Sequence, residues 1–98
     1  MDRTAVVVID AQQEYFAPTG KVVLPHGPAA AERIATTLEW ARARELPVVH
    51  IVHESRRPGA TTFVPGSPAL AVHPLAKPVG DEPVLTKHLP GSFTGTPL

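Results

Sequence analysis

The chain contains no cysteine, which excludes a disulfide framework, a thiolate metal site and a thiol nucleophile within these 98 residues. An excess of either charge is also missing. Nine basic and nine acidic side chains give a formal net charge of zero. No electrostatic argument therefore exists for nucleic acid, an anionic membrane or a strongly charged partner. The apolar stretches are far too short to cross a bilayer, and the first, led by Met1-Asp2-Arg3, is too short and too poorly flanked for a signal peptide. A soluble, cytoplasmic protein is the expectation. There is no glycine-rich loop after the first apolar run, where the chain reads Asp10-Ala11-Gln12-Gln13. That argues against a nucleotide-binding α/β domain, because nothing there lets a backbone approach a phosphate. A phosphatase-type Asp-x-Asp is absent too, since position 12 is Gln. Neither repeats nor low-complexity segments are present, and the length suits one small domain.

What is there begins with Thr4-Ala5-Val6-Val7-Val8-Ile9-Asp10. An apolar run without alternation fits a strand buried on both faces, the pattern of a parallel sheet covered by helices. In open α/β sheets, reactive groups lie just beyond the carboxyl ends of the strands, which is where Asp10 stands. Asp is also a favoured cap, so Asp10 either serves a site or caps the next turn. Residues 11–21 read as loop, with Pro18, Thr19 and Gly20 marking a turn. Phe16 either packs this loop onto the core or walls a pocket near Asp10.

Gly27-Pro28 then opens a helix running to about Glu45, with proline at the first turn, where its missing N–H costs nothing. Ala31, Ile34, Leu38 and Ala41 form one apolar stripe. Trp40 lies off that stripe, flanking the core or meeting another subunit. Leu46-Pro47 closes the helix. Val48–His53 is a second buried-type strand, completing a right-handed βαβ unit. His50 and His53 are separated by an odd number, so their side chains leave opposite faces and do not share one ion. His50 reads as a hydrogen-bonded structural residue, and His53, at the strand end, is placed to line a site.

From Glu54 to Pro83 prolines and glycines dominate. Phe63, Leu70, Val72 and Leu75 give this segment something to bury, so an ordered excursion is expected, with a helical turn within 67–72. Pro83–Lys87 reads as a third strand, again ending in an ionisable residue. With the strands ordered three, two, one, the backbones at Asp10 and Lys87 lie roughly 10 Å apart. Their side chains together bridge most of that. Such an acid–ammonium pair is one ingredient of thiol activation.

"AVVVIDAQQEYF" at the start, "FVPGSPA" at 63–69 and "GDEPVLTKHLPGSFTGTPL" at 80–98 together resemble the isochorismatase-like cysteine hydrolases, a group that includes nicotinamidases, carbamoylsarcosine-type amidases and isochorismatases. The resemblance implies a Rossmann-like three-layer α/β/α fold around a six-stranded parallel sheet. Residues 1–98 would form the N-terminal half, with the first three strands and the first helix. It implies a catalytic triad of Asp, Lys and Cys, with Asp10 and Lys87 as its first two members. In the implied reaction Asp10 accepts the thiol proton, Lys87 holds the thiolate, and sulfur attacks an amide-type carbonyl of a small molecule. By the resemblance Phe16 and Gln13 would contact the substrate, and His53 joins them as a substrate contact by its place at the strand end. No cofactor is implied. The family is commonly oligomeric, so a homo-oligomer is compatible with the resemblance and the number of copies stays open.

Two departures shape the expectation. The segment that carries the family's Cys is absent, so this chain alone is expected to be inactive. Nicotinamidases carry an Asp-x-His metal motif where this chain reads Ile51-Val52-His53, so no metal is expected. Ending after three strands would also leave the apolar edge of the first strand open, a template for self-pairing. The alternative to a hydrolase fragment is a non-catalytic remnant or interaction module that uses that edge.

Overall fold

A computed structural model describes residues 4–98; Met1-Asp2-Arg3, expected to lead straight into the first strand, lie outside the described residues. Four elements carry the architecture: β1 (Val6–Ile9), α1 (Gly27–Ala43), β2 (Val48–His53) and β3 (Val84–Lys87). The strands form one parallel sheet in the order β1-β2-β3. Val8 is level with His50, Ile51 with Leu85, and His53 with Lys87, so β2 and β3 end together. The expected strands, helix and strand order are all present.

The α1 stripe packs on one face of the sheet. Leu38 and Ala41 meet Val8 and Val48, and Ala11 and Ala76 complete the cluster. Ala31 is buried as well. Trp40 stays at the surface, with the Arg44 guanidinium stacked 4.9 Å from its ring centroid. The helix ends earlier than Pro47 alone requires. Glu45 takes a left-handed φ of 55°, its N–H donates to the Arg42 carbonyl, and the Leu46 N–H reaches back to Ala41. These are the two bonds of a Schellman ending, built here without glycine.

β2, paired on both sides, buries most of its length, whereas β1 buries alternate residues. Val7 and Ile9 are exposed, Ile9 by 52%. The apolar run suggested burial on both faces, but among the described residues β1 is an edge strand with one helix against one of its faces. The long 54–83 segment is ordered by two short 3₁₀ turns, Pro68–Leu70 and Pro74–Ala76. It is also pinned at the amino-terminal end of the sheet. The Glu82 carboxylate accepts from Arg42 Nε and Nη2, both at 2.8 Å, and lies 2.8 Å from His50 Nε2. The Val79 N–H donates to it as well. This is the internal role expected of His50. The Arg42 guanidinium holds the Glu82 carboxyl down at about 2, against the opposing effect of its partial burial.

Candidate functional site

At the carboxyl end of the sheet the chain leaves β1 through Asp10, whose φ of 59° is left-handed. Asp tolerates this region better than most residues, though holding a non-glycine residue there still costs on the order of 1 kcal/mol. The Asp10 N–H completes the β1–β2 ladder on the Ile51 carbonyl, and its own carbonyl accepts from the Gln12 N–H. The backbone turns sharply at this point, and the side chain is directed across the end of β2 towards β3. Lys87 Nζ lies 3.3 Å from Asp10 Oδ2, with Lys87 only 3% exposed. The other carboxylate oxygen, Oδ1, is buried with no hydrogen-bond partner among the described residues. Asp10 is no helix cap: Gln12 holds that position for the 3₁₀ turn Gln13–Tyr15, which has no side-chain cap bond.

His53 adjoins the pair, its Nδ1 3.3 Å from Lys87 Nζ. An ammonium only donates, so Nδ1 is assigned as the acceptor and the proton of the neutral ring sits on Nε2. Burial lowers the His53 pKa, the Lys87 charge lowers it further, and Asp10 partly opposes them. The ring stands edge-on to Phe63, centroids 5.0 Å apart, and Phe63 meets Tyr15 edge-on at 5.5 Å. Burial, then the charges of Asp10 and Glu14, raise the Tyr15 pKa and keep its phenol protonated.

Two side chains that sequence reasoning passed over hold this arrangement. Gln12 is fully buried. Its Oε1 accepts from the His53 N–H, and its Nε2 donates to the carbonyls of His53 and Leu70. One side-chain amide thus substitutes for the next strand residue and prolongs the β1–β2 ladder past Asp10. Glu14, also buried, accepts from the N–H groups of Lys21 and Phe63, tying the loop after β1 to the loop after β2. Gly20 is required beside it, because a Cβ there would come within 2.1 Å of the Glu14 carbonyl oxygen. Tyr15 is the third residue missed. Nothing local marks these residues: their partners lie up to 58 positions away.

Of the residues expected at the site, the structure brings together Asp10, Lys87 and His53. It does not bring Phe16 to them. That ring packs 4.3 Å from the His73 ring and lines a different cleft with Leu24 and Pro28. Gln13 contributes its backbone N–H to the Ala71 carbonyl and is half-buried. Among the described residues, no group of three or more His, Asp or Glu gathers as a metal site, and no helix is long and apolar enough to cross a membrane.

Residues 4–98 match the isochorismatase domain. The chain is 37% identical over 95 residues to the uncharacterized isochorismatase family protein YddQ of Bacillus subtilis, covering 97% of this chain and 52% of that protein. It is 39% identical over 95 residues to a secreted isochorismatase effector of Verticillium dahliae, covering 97% of this chain and 48% of that protein. The crystal structure of a putative isochorismatase hydrolase from Oleispira antarctica superimposes with a TM-score of 0.89 at 37% identity, covering 97% of this chain and 51% of that one. The chain therefore spans about half the length of the curated relatives it matches. A parallel β1-β2-β3 sheet ending in a buried lysine–carboxylate pair, and a domain match along the described residues, make this chain a member of the isochorismatase family of hydrolases.

Proposed function

We propose that this chain supplies the acid and the ammonium of an Asp–Lys–Cys hydrolase site that cleaves C–N bonds of amide type in a small molecule. The cysteine comes from sequence outside these 98 residues, and the chain alone is inactive. The observation that carries this reading is the Asp10 carboxylate, with one oxygen 3.3 Å from Lys87 Nζ and the other buried and unpartnered. A buried carboxylate oxygen left bare is costly, on the order of 1–3 kcal/mol, and such a cost persists where the group has chemical work. Oδ1 is suited to accept a thiol proton while Lys87 offsets the negative charge of the thiolate. Sulfur then forms a bond to the carbonyl carbon, the C–N bond breaks, and Asp10 returns its proton to the leaving amine. Water hydrolyses the acyl-enzyme. His53 lines the substrate side of the pair. Phe16 and Gln13 enter as substrate contacts on the resemblance alone.

The test begins with the natural polypeptide, whose intact mass is read by native mass spectrometry. A mass well above 10.4 kDa, with a cysteine in the added segment, is expected. That longer protein should release amine from a small-molecule amide library, and Asp10→Asn and Lys87→Met should each reduce turnover by about 10³-fold or more. A natural polypeptide of 10.4 kDa, or a longer one indifferent to both substitutions, would overturn the proposal.

A further inference from the structure

Lys87 is 3% exposed, so the three hydrogens of its ammonium must find acceptors in the protein rather than in bulk water. Among the described residues two atoms lie within reach of Nζ: Asp10 Oδ2 and His53 Nδ1, each at 3.3 Å. One hydrogen is left over, the counterpart of the bare Oδ1 of Asp10. His53 is itself held from several sides. Gln12 accepts from its N–H at 2.8 Å and donates to its carbonyl at 2.9 Å, and the Phe63 ring stands edge-on to the imidazole. Phe63 takes a left-handed φ of 52°, which a bulky residue adopts only where its surroundings impose it. The buried Glu14 carboxylate imposes it here, accepting from the Phe63 N–H at 2.7 Å. Backbone strain is thus held at the ring that fixes where His53 Nδ1 points.

We propose that His53 is a positioning residue of the hydrolase site: its neutral Nδ1 takes one ammonium hydrogen of Lys87, Asp10 Oδ2 takes a second, and the third is left for the thiolate. The inference rests on the proposed hydrolase reading and deepens it, adding a group that acts through Lys87. The role requires a neutral ring. Once protonated, Nδ1 donates and can no longer accept from the ammonium, and two cations then face each other across 3.3 Å. The charged and titratable groups around the ring are Lys87 and Asp10 at the strand ends, His88 after β3, and Arg56 and Arg57, which line the cavity on its open side. Glu54 is turned to His88. Burial first, then Lys87, hold the His53 pKa below the ordinary 6.5; His88 adds to them and Asp10 opposes. The ring is therefore neutral at neutral pH, and the hold on Lys87 is lost as pH falls through the His53 midpoint.

The test follows kcat/KM against pH in the natural polypeptide that carries the cysteine, a profile that reports groups of the free enzyme. His53→Asn puts an amide oxygen near the place of Nδ1, which accepts from Lys87 but does not titrate. His53→Leu removes the acceptor. At neutral pH the Leu variant is expected to lose about 10²-fold, as misplacing a reacting group does, and the Asn variant to recover at least about tenfold of that loss. The acid limb of the parent should coincide with the His53 midpoint read by NMR. It should move to lower pH by about half a unit or more in His53→Asn and persist in His88→Gln. A limb unmoved by His53→Asn, a limb lost with His88→Gln, or equal losses in the Asn and Leu variants would each overturn the proposal. A second readout needs no turnover. The double variant Asp10→Asn, Lys87→Met, which strands neither charge, should raise the His53 midpoint, because the effect of Lys87 outweighs that of Asp10. A midpoint unchanged or lowered would remove the coupling on which the proposal stands. Turnover indifferent to Asp10→Asn would remove the hydrolase reading and this role of His53 with it. Turnover abolished by Asp10→Asn, with an acid limb unmoved in His53→Asn, would remove the role of His53 alone.

Discussion

The two ends of the sheet each carry an acid, a base and a histidine, and they use them in opposite ways. At the amino-terminal end, Glu82 accepts from Arg42, His50 and the Val79 N–H. At the carboxyl end, Asp10 has one contact at 3.3 Å with Lys87 and one buried oxygen with no partner. The first carboxylate is saturated, and its pKa is driven down to about 2. The second sits on a left-handed backbone with acceptor capacity in reserve. In the amino-terminal cluster, His50 Nδ1 alone is buried without a hydrogen-bond partner among the described residues. Saturation marks a clasp that joins α1, β2 and the segment before β3. Unused capacity marks a place where chemistry can occur.

The contrast breaks most visibly if the clasp is cut. Glu82→Ala should cost about 3 kcal/mol in urea unfolding, because it strands Arg42 and His50 together. The same clasp sets an acid limit. The folded pKa of Glu82 lies below its ordinary value of 4.5, so its contribution is fully present above that value and is lost as pH falls towards about 2. Urea midpoints of the parent chain should fall through this window, and those of Glu82→Ala should fall less. At the carboxyl end, Gln12→Ala should cost about 2 kcal/mol, since it leaves the His53 N–H and two carbonyls unpaired. Amide exchange at His53 should accelerate accordingly. The smallest effect is expected at the Asp10–Lys87 pair when both members are replaced together. The double variant Asp10→Asn, Lys87→Met should change stability by less than about 1 kcal/mol, because it removes both charges of the pair and strands neither. A loss from this double variant matching that from Glu82→Ala would show that both ends are structural.

The elements that could be read from residues alone share a physical trait: their signal is local. The Val6–Ile9 run ending at Asp10, the Ala31, Ile34, Leu38 and Ala41 stripe, and the strand that delivers Lys87 all follow from spacing and side-chain type. Gln12 and Glu14 had no such signal, because each acts on backbone groups tens of residues away. The end of α1 was missed for a related reason: a left-handed Glu45 carries no glycine to announce it.

Sequence by itself determined the strands, the helix, the two ionisable strand ends and the family they resemble, since apolar period and chain order are properties of neighbours along the chain. Tertiary structure alone decided that Asp10 and Lys87 meet at 3.3 Å, and that His53 joins them while Phe16 turns to another cleft. Those outcomes depend on which backbone groups find partners across the sheet and which charges are left without them. Only the folded chain brings these groups within reach of one another.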